Sequence, residues 1–201
     1  MTLEEIAAKI KVCTACPLHK GRTNAVPGSG NPKAEIVFIG EGPGAREDAT
    51  GEPFVGAAGK FLNEMLAEIK LNREDVFITN IVKCRPPENR DPEPTEKKAC
   101  TTLYLDKQLA LINPLLLVML GRHAMEYFLP GLSISAEHGK PKRRDGLIYL
   151  PLFHPAAALY NGGLRETLKA DFRKIPAILK KIRTERAEAA SIIESMQKDG
   201  E

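Results

Sequence analysis

A chain of 201 residues, 43% of them hydrophobic, is long enough to bury one substantial core and needs no second domain. Its net charge of +3 permits a nucleic-acid partner without arguing for one, and no run approaches the roughly 20 apolar residues that span a bilayer. Glu4 and Glu5 beside Lys9 are unlike the basic start and apolar core of a signal peptide, so a cytoplasmic protein without membrane contact is expected.

Thr2-Leu3-Glu4-Glu5 fits a capping box, and Leu3, Ile6, Ala7 and Ile10 recur at helical spacing, so an amphipathic helix opens the chain and delivers Cys13 and Cys16 at its end. Residues 17–34, broken by Pro17, Gly21, Pro27, Gly28, Gly30 and Pro32, read as an irregular crossing to a buried strand at 36–39. Phe61, Leu62, Met65, Leu66 and Ile69 mark a helix, 76–82 a second strand, and 85–94 a stiff, proline-rich, exposed loop. Thr95 is the expected cap of a helix through Ala99, Leu103 and Leu109, with Cys100 in its second turn. The uniformly apolar 115–120 reads as a strand covered on both faces, Gly121 ends it, and a helix restarts over 122–128. Residues 130–146 form a polar, basic excursion, and 147–153 a fourth strand with His154-Pro155 just past its end. Helical spacing through Leu164, Leu168, Phe172 and Ile175 breaks at Pro176 and resumes with Ile178, Leu179 and Ile182. From Arg183 the chain is charged and expected to fray, which sets a domain at 1–182 and a tail at 183–201.

Strands alternating with helices predict an α/β fold, a parallel sheet between two helical layers. Gly40-Glu41-Gly42-Pro43-Gly44 follows the first strand as a turn whose backbone passes close to something, at the place where open α/β sheets bind ligands. The spacing is neither the dinucleotide fingerprint nor a Walker loop, and the acidic residues that follow would repel a phosphate. Asn80, Gly121 and His154 also fall at or just past strand ends, so one rim of the sheet collects all four connections. Two basic clusters, Lys140-Lys142-Arg143-Arg144 and Lys83, Arg85 and Arg90, read either as solvated loops or as nucleic-acid contacts.

Cys13-x-x-Cys16, Cys84 and Cys100 are the four cysteines. Disulfides do not suit a cytosolic chain with a large core. The wide second pair is unlike a zinc ribbon, and a [4Fe–4S] cluster accepts looser spacing; iron–sulfur, zinc and unligated core thiols all stay open on spacing alone. All four lie outside the strand-end rim, which favours a structural over a catalytic metal.

The series C-x-x-C, Gly40-Glu41-Gly42-Pro43-Gly44-x-x-Glu47-Asp48, Gly51-x-Pro53-Phe54-x-Gly56, Thr79-Asn80, Lys83-Cys84-Arg85-Pro86-Pro87-x-Asn89-Arg90, Cys100 and His154-Pro155-Ala156 resembles the family 4 uracil-DNA glycosylases, in order and over about residues 10 to 180. The resemblance implies a three-layer α/β/α fold with a central four-stranded parallel sheet, a [4Fe–4S] cluster on Cys13, Cys16, Cys84 and Cys100, and excision of uracil from single- and double-stranded DNA by a monomer. It further implies that Phe54 stacks on the flipped base, Asn80 reads it, His154 donates to O2 and the Gly42 backbone approaches the ring. Standing alone, Asn80 and His154 read as turn residues and Phe54 as core. Where the wider superfamily carries a water-handling aspartate this chain has Gly42, so Glu41 is the first choice for the water, then Asp48 or Glu47; Glu47 otherwise walls off a thymine methyl, or caps the next segment with Asp48. The segment 156–160 is the expected wedge with Leu159 as its plug, and Lys83, Arg85, Asn89, Arg90 and Arg165 are expected at phosphates. No lysine in the motifs of the base-binding site, the Gly-rich turn, Asn80 and His154, offers a Schiff base, which implies a monofunctional enzyme. A glycosylase for another deaminated base, or a non-catalytic metal-bearing nucleic-acid-binding module, are the alternatives.

Overall fold

The computed structural model describes residues 1–198. Six strands form one sheet: β1 (Ser29–Gly30), β2 (Ile36–Gly40), β3 (Phe77–Asn80), β4 (Leu116–Leu120), β5 (Lys142–Arg144) and β6 (Leu147–Leu152), in the order β1-β3-β2-β4-β6-β5. The central four are parallel, with Gly40 level with Asn80 and Phe38 with Val118, which suits the largely apolar runs of β2 and β4, buried on both faces. Beyond the expected four, β1 and β5 add short antiparallel edges. The hairpin from β5 to β6 turns on Asp145-Gly146, both at positive φ (51° and 77°), a two-residue turn whose Asp-Gly signal lies inside the basic excursion.

Alternation along β2 separates the two cores. Ile36 and Phe38 face one layer, formed with α3 (Ala57–Glu68), α8 (Pro155–Tyr160), α9 (Gly162–Phe172) and α10 (Ile175–Lys198). Val37 and Ile39 face the other, with α1 (Leu3–Lys11), α5 (Asp106–Ile112) and α6 (Arg122–Phe128). Three further helices complete the connections: α2 (Ala45–Thr50), α4 (Pro94–Cys100) and α7 (Ile134–Glu137).

The capping box at Thr2 and Glu5 is present. The helix expected to be capped by Thr95 starts instead at Pro94, with Glu93 as its cap and Glu96 returning the bond. Proline is favoured at the first helical position because the amide it lacks would be unpaired there, which moves the cap from Thr95 to Glu93, two residues back. The helix reaches α5 through a π-helical stretch, Thr101–Leu105. Pro176 lies in the first turn of α10, so the break falls just before it, and α10 continues through Arg183 where fraying was expected. Ion pairs of Arg183 with Glu35 and of Glu185 with Arg143 tie that continuation to the body. No helix among the described residues is long and apolar enough to cross a membrane.

Candidate active site

The register that sets Gly40 beside Asn80 brings the Gly-rich turn, the end of β3 and the start of α8 to one rim, around an open cavity of about 340 Å³. Glu41, Gly42, Glu47, Phe54, Asn80, Asn89, Arg90 and His154 all line it. Gly40 is what lets the walls converge: a Cβ there would stand 2.5 Å from Asn80 Oδ1 and 2.7 Å from Phe54 Cζ. Phe54 is buried at φ 53°, a backbone region unusual for a bulky residue. Arg73 holds it there, donating from Nη1 to Phe54 O at 3.1 Å and from Nη2 to Pro53 O at 2.6 Å. The Phe54 and His154 rings stand 5.7 Å apart and 30° from parallel.

Asn80 is buried, and its Oδ1 has no hydrogen-bond partner among the described residues. A buried acceptor left unpaired costs about 1–3 kcal/mol, so this amide is built to receive a donor from a guest. His154 is the cap of α8: its Nδ1 accepts the Ala156 N–H at 3.2 Å, which leaves the ring proton on Nε2. Burial pushes its pKa down to about 4, against a weaker upward pull from Glu47. The imidazole is therefore neutral near pH 7 and offers one N–H donor.

Glu47 and Asp48 are adjacent but serve differently. Glu47 Oε1 accepts from Val55 N at 2.9 Å and Gly56 N at 2.8 Å, which fixes the carboxylate in the cavity wall. Asp48 is buried away from it and accepts the backbone N–H groups of Thr23 and Asn24, stapling the crossing loop to α2. Its carboxylate is satisfied by those amides, so it is withdrawn as a partner for water. A Cβ on Gly42 would approach Val82 Cγ2 to 2.8 Å, so an aspartate at that position would not enter this turn without a shift.

Glu41 has neighbours that sequence reasoning missed. Its Oε2 is 3.5 Å from His123 Nε2, which is also 3.2 Å from Asp91 Oδ1 and 3.1 Å from Arg122 Nε. Arg122 closes the group with a 2.5 Å bond to Asp91. Burial raises the Glu41 pKa above the usual carboxylate range, opposed first by His123. The one available signal was positional, since His123 follows Gly121 at a strand end on the same rim.

The four cysteines line a separate cavity: Cys13 and Cys16 follow α1, Cys84 follows β3 and Cys100 closes α4. Donors converge on the sulfurs, with Ala15 N 3.4 Å from Cys13 Sγ, Lys83 N 3.3 Å from Cys100 Sγ and Arg22 Nη1 3.1 Å from Cys84 Sγ. Burial pushes the Cys100 thiol up to about 12 and raises Cys16 and Cys84, so these groups become thiolates only on binding a cation. Among the described residues the only potential ligand atoms that gather as a trio within 4.8 Å are those of Glu41, Asp91 and His123. The sulfurs are thus spread wider than a single tetrahedral zinc needs, about 3.8 Å apart at a metal–sulfur bond of about 2.3 Å. A four-sulfur cage with inward donors and this width fits a polynuclear cluster.

Residues 27–180 match the family model of the uracil DNA glycosylase superfamily. The chain belongs to that superfamily. Curated relatives include a type-4 uracil-DNA glycosylase of Archaeoglobus fulgidus, 51% identical over 87% of this chain and 92% of that protein. One of Sulfurisphaera tokodaii is 50% identical over 87% and 83%, and one of Thermotoga maritima 46% identical over 89% and 95%.

Against that membership, the expected phosphate contacts divide. Lys83 is 1% exposed, its Nζ turned inward to Thr79 Oγ1 and Asn80 O, so it cannot meet a phosphate. Folded back along β3, it lies behind the pocket. Arg85, half-buried, donates to Oδ1 of the exposed Asn89 at 2.8 Å, and Asn89 lines the cavity. Arg90 makes a two-pronged pair with Glu96 at 2.8 and 2.9 Å, and Arg165 pairs with Glu64 while lying 4.0 Å over the Phe61 ring. On the expected wedge Leu159 is 38% exposed, and Tyr160 beside it stands out further at 93%. In the basic excursion Lys142 pairs with Glu137, Arg143 with Glu185 and Arg144 with Asp145, which gives three of its cations acidic partners within the protein.

Proposed function

We propose that this chain excises uracil from single- and double-stranded DNA by hydrolysing the N-glycosidic bond of a flipped nucleotide. The observation that carries the reading is the buried, unpaired Asn80 Oδ1 facing the same cavity as the neutral His154 and the Phe54 ring. Uracil presents an N3–H donor and two carbonyl acceptors. Asn80 accepts from N3–H and donates to O4, while cytosine offers the reverse at those atoms and would leave the amide unpaired again. Phe54 stacks on the ring, the Gly42 backbone lies against it, and Glu47 closes the wall where a thymine methyl would project.

Cleavage leaves negative charge on the departing ring. The His154 Nε2–H donates to O2 as that charge grows, and needs no proton of its own to lose. Glu41, its carboxyl kept basic by burial, takes the proton of the attacking water, with His123 and Asp91 behind it. Cys13, Cys16, Cys84 and Cys100 would hold a [4Fe–4S] cluster, which when bound ties the end of α1 to the loop after β3 and to α4. Cavity and cage are each complete within one chain, so the proposed acting unit is a monomer. Among the described residues no lysine lines the cavity, which supports hydrolysis without a Schiff base. The test is base release from duplexes carrying one uracil, hypoxanthine or xanthine. Uracil release is expected, and release of hypoxanthine without uracil would assign the pocket to another base.

A further inference from the structure

Lys83 is among the largest wholly buried side chains of the molecule. Its carbonyl accepts from Val26 N at 2.7 Å and its N–H donates to Cys100 Sγ, which pins the main chain into the cysteine cage. The side chain then turns back along β3, where Nζ donates to Thr79 Oγ1 and, at 2.9 Å, to Asn80 O. Thr79 Oγ1 in turn donates to Pro27 O at 3.1 Å, so the contact is itself braced. Both Nζ acceptors are neutral, and among the described residues no carboxylate pairs with it. An ammonium out of water without a counter-charge is strongly disfavoured. The four sulfurs of the cavity that Lys83 also lines are the nearby source of negative charge once they act as thiolate ligands.

We infer that Lys83 is a positioning residue shared by the two sites: its buried ammonium is the counter-charge of the cysteine-bound group, and its bond to the Asn80 carbonyl holds the strand end that presents the Asn80 amide to uracil. This rests on the reading of Asn80 and of the cage given above. Removing the charge leaves the cage with one cation fewer and loosens the base-reading amide in the same stroke.

Lys83→Met keeps the side-chain length and removes both charge and donors. Inhibition by free uracil is expected to weaken about 10- to 100-fold, as for other supporting partners of a bound group, while affinity for an abasic-site duplex stays at the wild-type value. The reduction potential of the purified protein's cluster is expected to move to more negative values, because a nearby cation that favours the reduced form is gone. Arg22→Met is the contrast: Arg22 bonds Cys84 Sγ and Lys11 O, so it should move the potential and leave uracil inhibition unchanged. Wild-type uracil inhibition or an unmoved potential in Lys83→Met overturns the inference. If that variant does not fold, Thr79→Val removes one acceptor from outside the cage; weaker uracil inhibition with unchanged cluster absorption supports the inference, and unchanged inhibition overturns it. Asn80→Ala separates this from the underlying reading. If it inhibits like wild type the assignment of Asn80 has failed, and if it loses inhibition while Lys83→Met keeps it, only the role of Lys83 has.

Discussion

The cavity beneath Phe54 and the cysteine cage share the segment from Asn80 to Cys84, yet their polar groups are left in opposite states. In the cavity an acceptor is unpaired, an imidazole keeps one N–H free, and a phenylalanine is held at positive φ by an arginine. Around the sulfurs three N–H donors, from Ala15, Arg22 and Lys83, already point inward. The first arrangement suits a neutral guest with mixed donors and acceptors that comes and goes. The second suits an anionic group that stays. Substitutions in the cavity should therefore change turnover with little change in melting, whereas substitutions in the cage should lower melting first and reach turnover only through loss of the folded loop.

The largest expected effect on turnover is at Glu41. Glu41→Gln should slow single-turnover uracil release by about 10²- to 10⁴-fold while abasic-DNA affinity and Tm stay near wild type. Because burial raises the Glu41 pKa, the acid limb of the rate profile should lie above the ordinary carboxylate range and vanish in this variant. His123→Ala removes the largest interaction that lowers that pKa, so the limb should move to higher pH. A move to lower pH would show that another group handles the water.

His154→Ala should cost about 10²- to 10³-fold in rate, the usual loss for one donor to a developing oxyanion. The group also tests the comparison through stability. Its folded pKa is about 4 against an ordinary 6.5. Between those values the unfolded chain binds a proton that the folded chain does not, so stability falls as pH drops from about 6.5 toward 4 and is unaffected by this group above 6.5. Tm measured across that window should decline less steeply in His154→Ala than in wild type.

In the cage the order of effects reverses. Cys100→Ser should lower retention of the cluster against a chelator by at least about 10-fold and lower Tm, with loss of uracil release following loss of the folded loop. A colourless preparation that melts like wild type would remove the distinction between the two regions.

How far each region could be read in advance follows from how local its determinants are. The Gly-rich turn, Asn80 and His154 announce themselves because a strand end followed by a turn is a short-range pattern, and parallel pairing then brings them to one rim. The Glu41, His123 and Asp91 group was not legible, since its members come from three connections and meet only through tertiary packing. Lys83 misled for a related reason. Beside Arg85 in a proline-rich loop it reads as a surface cation, and only the path of β3 shows it folding inward. Asp48 looked catalytic by proximity to Glu47, but helix α2 turns adjacent side chains to different sides. At Glu93 the proline that follows decided the helix start, a stronger constraint than the hydroxyl at Thr95.

The smallest expected effect concerns the surface between the two regions. Each phosphate contact releases counterions, so removing one cation that meets a phosphate should reduce the slope of log affinity against log salt by about 1. Arg85→Ala should show that change on an abasic-site duplex, since Arg85 is only half-buried and among the described residues no carboxylate pairs with it. Arg90→Ala should change the slope less, because Glu96 already neutralises Arg90 and the pair chiefly braces the start of α4. Lys83→Met should leave the slope untouched while altering both cavity and cage. That pattern would separate a charge that faces DNA from one that faces inward, and a full unit of slope lost on removing Lys83 would return it to the surface.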